Sequence, residues 1–212
     1  MGHGPAPWPS AASFDDEVDR LAEVVRTSLG PGAHLVGYSL GGRMALGMLV
    51  RHPGLVARAT LIGASPGLSD PDARAIRRRE DEARARSLEV EGLAPFVDSW
   101  ERLPLFDSQS SVPDARRRAH RAQRLAHDPA GLARSLRVCG LGAMPDLSAA
   151  LARIEVPVTF VAGAQDPKFR ALARSMASST PHSTHREIPG SGHDVVLERP
   201  GPLASLLEEL DA

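Results

Sequence analysis

Ala33-His34-Leu35-Val36-Gly37-Tyr38-Ser39-Leu40-Gly41-Gly42-Arg43-Met44-Ala45-Leu46-Gly47-Met48-Leu49 begins as a short apolar run, turns at a serine set between glycines, and continues at helical spacing. The serine sits where a strand gives way abruptly to a helix, which is the local design of a nucleophile elbow. Gly37 and Gly41 stand two residues to either side of Ser39. Both are expected to be bare because a tight turn packed between strand and helix leaves no room for a Cβ. Leu40 follows the serine at a helix N-terminus, so its backbone N–H is available as one donor of an oxyanion hole. A G-x-S-x-G recurs by chance, and its bland reading is a glycine-rich turn with a capping serine. The strand, turn and helix around this one favour a working hydroxyl.

The 212 residues are 42% apolar and 24% charged, which suits a globular domain with an ordinary core. A net charge of −1 gives no reason to expect nucleic acid or a membrane surface as partner. Cys139 is the only cysteine, so an internal disulfide is excluded and thiolates are too few for a zinc site. It reads as a small buried apolar side chain. There is no secretory signal pattern, and no apolar run approaches the roughly 20 residues that span a bilayer. The sequence reads as cytoplasmic. Lys168 is the single lysine, so an arginine here needs more than its presence to count as functional.

Phe14, Val18, Leu21, Val24, Val25 and Leu29 recur at helical spacing, with Ser13 as cap and Gly30-Pro31-Gly32 as stop. The helix after the serine ends near His52-Pro53, and Ala59–Gly63 reads as a second buried strand. From Leu68 to Met144 the chain is arginine-rich and helical in period, with breaks expected at Gly92, Pro95, Pro104, Pro113 and Pro129. Strand character returns over Val156–Gly163 and His185–Ile188, before a helix over Pro202–Leu210. Strands alternating with helices predict an α/β fold with a mostly parallel sheet covered on both faces. The predicted core comprises residues 1–67 and 146–212, and residues 68–145 form a helical lid inserted after a strand end.

A serine hydroxyl becomes a base or nucleophile when an imidazole takes its proton, and the imidazole needs a carboxylate to hold its tautomer. Asp166, just past the strand ending at Gly163, is the favoured acid. Its bland reading is a turn aspartate before Pro167, and Asp70 is the weaker alternative. His193, in Pro189-Gly190-Ser191-Gly192-His193, is the strongest of the eight histidines. His34, His52, His120, His127, His182 and His185 read as surface or helix-end residues. Arg43 stands four residues after Ser39, on the same side of the helix. A fixed planar cation beside a working serine suggests a substrate bearing a carboxylate, against the bland reading of a structural ion pair. Of the lid's many arginines, most must be solvated helix faces.

Gly37-Tyr38-Ser39-Leu40-Gly41-Gly42-Arg43, Gly63-Ala64-Ser65-Pro66-Gly67-Leu68, Trp100 through Leu105-Phe106, Arg124–Ala133, Ser135-Leu136-Arg137, Gly163–Phe169 and Gly190-Ser191-Gly192-His193 together resemble the 2-succinyl-6-hydroxy-2,4-cyclohexadiene-1-carboxylate synthases of menaquinone biosynthesis. Those enzymes have the α/β-hydrolase fold, and the likeness extends over nearly the whole chain. It implies a lyase that removes a proton from a cyclohexene polycarboxylate and expels pyruvate, with Ser39, His193 and Asp166 as a triad in which the serine is the general base. By motif position it also implies substrate contacts from Arg43, Arg77 and Arg124, with Tyr38 and Trp100 lining the pocket. Arg121 is the near alternative to Arg124, and Lys168 is a weaker candidate, more suited to fixing its loop. No metal or organic cofactor is implied.

The start departs from the pattern. Met1-Gly2-His3-Gly4 resembles a loop that in the family follows several strands, so the opening strands and their H-G-F oxyanion motif are expected to be missing, as in a fragment or a misplaced start. The strand before Ser39 then becomes a sheet edge, a place for self-association. Two rival readings stand beside the lyase: a carboxylic-ester or thioester hydrolase using the same triad, and a non-catalytic truncated remnant.

Overall fold

Four short strands pair into one parallel sheet in the computed structural model of the protein, which describes residues 12–30 and 32–211. Met1–Gly4 and Pro31, both read above, lie outside the described residues. The strands are β1 (His34–Tyr38), β2 (Arg58–Ile62), β3 (Val158–Gly163) and β4 (Ser183–Ile188), side by side in chain order. Helices α1 (Phe14–Ser28), α2 (Leu40–Arg51), α3 (Pro71–Val90), α4 (Leu93–Glu101), α5 (Asp114–Leu125), α6 (Pro129–Cys139), α7 (Pro167–Ser179), α8 (Val195–Glu198) and α9 (Pro200–Asp211) occupy the intervals. No helix of the described residues is long and apolar enough to cross a membrane.

The register runs from His34 opposite Arg58 to Tyr38 opposite Ile62, and from Val158 opposite Ser183 to Gly163 opposite Ile188. β3 is buried at every position, as an inner parallel strand must be. Among the described residues β1 lies at an edge of the sheet, with Val36 exposed. Ile62, Val161 and Ile188 pack against Val195, Leu203 and Leu206, which docks α9 on the sheet. Each such side chain contributes on the order of 1.5–3 kcal/mol when fully buried.

The chain forms two units. Residues 18–66, 105–112 and 147–211 make the unit that holds the sheet. Residues 12–17, 67–104 and 113–146 make the other, whose core is Ala85, Leu88 and Ala133 with Leu93, Phe96, Leu132 and Leu136 around them. The alanines let α3 and α6 approach closely. Asp81, buried in α3, accepts from the Arg77 guanidinium at 2.8 Å and from the Gly142 N–H at 3.1 Å.

Three expectations need correction. Pro95 does not break the helix: it lies in the first turn of α4, where its missing N–H has no intrahelical role, and Gly92 at φ 85° makes the break. In α1 the buried stripe is Phe14, Val18, Ala22 and Val25, whereas Val24 and Leu29 are exposed. His34 is neither a surface nor a helix-end residue. Its side chain, 12% exposed, joins two elements within β1's unit, with Nδ1 2.6 Å from Asp211 and Nε2 2.8 Å from the Thr60 hydroxyl.

Arg137 of α6 donates from Nε to Glu82 of α3 at 2.8 Å and also binds Glu89. Arg137 first, and Arg86 next, hold the Glu82 carboxyl down at about 2 from an ordinary 4.5. A carboxyl whose pKa is lower in the folded state adds stability above its unfolded value and loses it as the pH falls to the folded one. Arg137→Ala should therefore flatten the fall of melting temperature from pH 4.5 down to about 2, followed by circular dichroism. The effect is small because the pair is exposed. Parallel acid limbs for the two proteins would refute it.

Candidate active site

Ser39 joins the end of β1 to the start of α2 with φ 50° and ψ −108°. A side chain in such a conformation costs on the order of 1–3 kcal/mol, and surrounding bonds must hold it. Here the Ser39 N–H donates to the Ile62 carbonyl at 2.8 Å, and the Ser39 carbonyl accepts from the Arg43 N–H at 3.0 Å, the first bond of α2. Leu40 opens the helix, so its N–H precedes the first intrahelical bond. Arg43, half-buried, follows Ser39 by one turn.

The glycines around the serine do not share one purpose. A Cβ on Gly37 would lie 2.5 Å from the Gly41 carbonyl oxygen, so the bare backbone there is required. A Cβ on Gly41 meets nothing within 4 Å among the described residues. The expectation that both are crowded is thus right for Gly37 and wrong for Gly41. The second close approach belongs to Gly42, where a Cβ would come 3.0 Å from that of Ala64.

Asp166 caps α7, and its two oxygens have different duties. Oδ1 accepts from the Phe169 N–H at 3.1 Å, while Oδ2 faces His193 Nδ1 at 3.0 Å. The turn aspartate and the histidine's carboxylate are therefore one residue. Asp70 lies in the other unit and caps α3 by accepting from the Asp72 N–H at 3.0 Å. His193 follows β4, is 3% exposed, and has Nε2 3.2 Å from Ser39 Oγ. A carboxylate only accepts, so Nδ1 carries the hydrogen toward Asp166 and the neutral ring offers a lone pair at Nε2 to the serine O–H. The arrangement can draw a proton off Ser39.

Three rings surround the imidazole. Phe169 lies with its centroid 4.3 Å away, Tyr38 at 5.6 Å and Phe106 at 6.3 Å. Gly63, at φ 58°, lets the ring lie against the end of β2, since a Cβ there would fall 2.9 Å from His193 Cε1. The sequence pattern alone gives Phe169, Phe106 and Gly63 no part at the site. The signal available was Phe169's place three residues after the acid, in the first turn it caps. Lys168 places Nζ 5.7 Å from the centroid of the Phe169 ring.

Arg77, Trp100, Arg121 and Arg124, which the family resemblance implicates, all lie in the second unit. Arg77 is bound to buried Asp81. Arg124 pairs with Glu101 at 2.8 Å, and Arg121 pairs with the same carboxylate at 2.8 Å and with Asp98. Trp100 stacks on Phe96 with centroids 5.7 Å apart. Among the described residues no group of three or more His, Cys, Asp and Glu side chains is placed to hold a metal ion.

Comparison with known proteins places the chain in a family. The model of the alpha/beta hydrolase family matches residues 1–206. A 2-succinyl-6-hydroxy-2,4-cyclohexadiene-1-carboxylate synthase of Escherichia coli O1:K1 / APEC is 33% identical over 210 residues, covering 99% of this chain and 80% of that protein. One of the same name from Shigella flexneri serotype 5b (strain 8401) is 35% identical over 213 residues, covering 99% and 81%. The solved structure of MenH from S. aureus superposes with a TM-score of 0.93 at 32% identity, over 98% of this chain and 79% of that one.

Gly37→Ala should lower the unfolding free energy by about 2 kcal/mol, because backbone cannot yield to the added methyl as a side chain does. Gly41→Ala should be neutral or stabilising by up to about 1 kcal/mol, the helix preference of alanine. Urea denaturation of the two variants checks the contrast, and equal losses would contradict the packing described.

Proposed function

This chain belongs to the alpha/beta hydrolase family and, within it, to the 2-succinyl-6-hydroxy-2,4-cyclohexadiene-1-carboxylate synthases, and from that premise we propose the chemistry of its site. It is an enzyme of menaquinone biosynthesis. The reaction we assign is elimination of pyruvate from 2-succinyl-5-enolpyruvyl-6-hydroxy-3-cyclohexene-1-carboxylate. Family membership supports the choice of substrate. The observation that carries the chemistry is the hydrogen-bonded series Ser39 Oγ, His193 Nε2, His193 Nδ1 and Asp166 Oδ2.

In this reading His193 takes the Ser39 proton, and Asp166 stabilises the imidazolium that forms without itself being protonated. The serine oxygen then abstracts a ring proton from the substrate. The electrons of that C–H bond form the 2-ene, the existing 3-ene pair shifts to become the 4-ene, and the C–O bond to the enolpyruvyl group at C5 breaks with its electrons leaving on oxygen. The departing enolate takes up a proton and becomes pyruvate, so no water is added and no acyl-enzyme forms. A full positive charge one helical turn from the base suits a substrate with several carboxylates, and we assign Arg43 to one of them. Tyr38 is assigned to the pocket wall beside the imidazole, and the Leu40 N–H to developing negative charge. Trp100, Arg77 and Arg124 keep the substrate-binding parts that the family motif implies.

Ser39→Ala and His193→Ala should each lower kcat for pyruvate release by about 100- to 10,000-fold, the range for a lost acid–base group. Arg43→Ala should chiefly raise KM, by roughly tenfold to a hundredfold, as expected when a charge-assisted hydrogen bond is lost. Coupled pyruvate detection measures both. A burst of product from an activated ester, with no pyruvate from the cyclohexene substrate, would assign the site to ester hydrolysis instead. Unaltered kinetics for Arg43→Ala would remove the carboxylate contact.

A further inference from the structure

Two carboxylates are buried beside His193 and stand outside the proton relay: Asp194 and Glu198, each 3% exposed. Glu198 ends α8, the single helical turn after the histidine loop. Its Oε2 accepts from the Gly192 N–H at 2.7 Å, and its Oε1 accepts from the Asp194 N–H at 3.3 Å. Gly192 and Asp194 are the chain neighbours of His193, so one side chain grips the backbone on both sides of the imidazole. The same Oε1 accepts from the Ser108 hydroxyl at 3.0 Å.

Ser108 belongs to the 3-10 segment Pro104–Ser111, and two further contacts bind that segment to the loop. Gln109 Nε2 donates to Asp194 Oδ2 at 3.2 Å, and the Phe106 ring lies against the imidazole. The approach is close enough that a Cβ on Gly192 would sit 2.0 Å from Ser108 Oγ. Three donors converging on one buried side chain require several acceptor lone pairs in a small space, which a carboxylate supplies. Glutamine would offer one oxygen and turn an NH2 toward a donor. It keeps the Gly192 bond, reverses the Ser108 bond and loses that to Asp194.

We infer that Glu198 is a positioning residue, which fixes the backbone around His193 so that Nε2 stays within reach of Ser39 Oγ. The inference rests on the reading of Ser39, His193 and Asp166 as the proton relay. Groups that orient an active-site ligand or base affect rate because a displacement of about 1 Å can cost about 100-fold. They leave substrate affinity nearly alone.

The test uses the full chain with Glu198→Gln, Glu198→Ala and Ser108→Ala, kcat and KM for pyruvate release, and the low-field proton NMR resonance of the His193 Nδ1–H facing Asp166. Relative to wild type, kcat should fall about threefold for Ser108→Ala, about tenfold for Glu198→Gln and about a hundredfold for Glu198→Ala, with KM within about twofold, the scale known for orienting partners. The resonance should broaden in the same order. Folded variants that keep the wild-type kcat and resonance would overturn the inference, as would a change confined to KM. If Glu198→Ala does not fold, the glutamine variant decides on the same criteria. If the wild type releases no pyruvate, the substrate reading fails, and the resonance alone judges the positioning role. Its broadening in Glu198→Gln supports that role, whereas its persistence there, or its absence from the wild type, overturns it.

Discussion

Ser39 is held in a backbone conformation that its side chain disfavours, between the carbonyl of Ile62 and the first turn of α2, and the surrounding architecture follows from that constraint. The Ile62 carbonyl is in place only because β2 runs parallel to β1 in register and ends level with it. Gly37 must be bare because the turn folds Gly41 back over it. A parallel sheet puts the C-terminal ends of all its strands along one edge, so the loops after β1, β3 and β4 deliver serine, aspartate and histidine to a common place. The end of β2 contributes space, through Gly63. The site is thus a property of strand direction before it is one of individual side chains.

Burial then determines how the charges are supported. Asp166 and His193 are nearly inaccessible to water, and a buried carboxylate is costly unless its lone pairs are used. Asp166 meets that condition with one oxygen on a helix cap and the other on the imidazole, which also prevents the carboxylate from rotating. A cap and a tautomer-setting partner reinforce each other, since the start of α7 locks the orientation that His193 needs. Glu198 meets the same condition with three neutral donors, two of them the amides adjacent to the histidine. Neither acid uses an arginine in these bonds, and a guanidinium inserted there would compete with the imidazole for the carboxylate.

Much of this was legible from local signals. The period change at Ser39, the acid after β3 and the glycine-flanked histidine after β4 are each set by neighbours in sequence, and the structure brings their side chains into one hydrogen-bonded series. α7 has a true period in Phe169, Leu172, Ala173 and Met176, which the turn signal of Asp166-Pro167 hides. Val24 and Leu29 misled for the opposite reason, having the right spacing while lying just off the buried stripe of α1. Glu198 and Ser108 could not be found by pattern. Their meeting depends on residues 105–112 belonging to the unit that holds the sheet, a long-range fact that no local spacing encodes.

The arginines show why composition is a poor guide to a site. In a chain with one lysine, arginine must supply nearly every surface cation, and the structure sets many of them on carboxylates of their own unit. Arg77 satisfies buried Asp81, and Arg121 and Arg124 share Glu101, so each is accounted for by packing before any ligand is considered. A guanidinium has five N–H donors, and one carboxylate leaves some of them for another anion while fixing the plane in which that anion must lie. Pairing and ligand binding are therefore compatible, and the pair supplies the rigidity that a bidentate contact needs. Arg43 differs in kind, because its place is set by the same helix turn that pins Ser39. Its N–H donates to the Ser39 carbonyl, so the backbone that carries this cation is also the backbone that holds the serine turn.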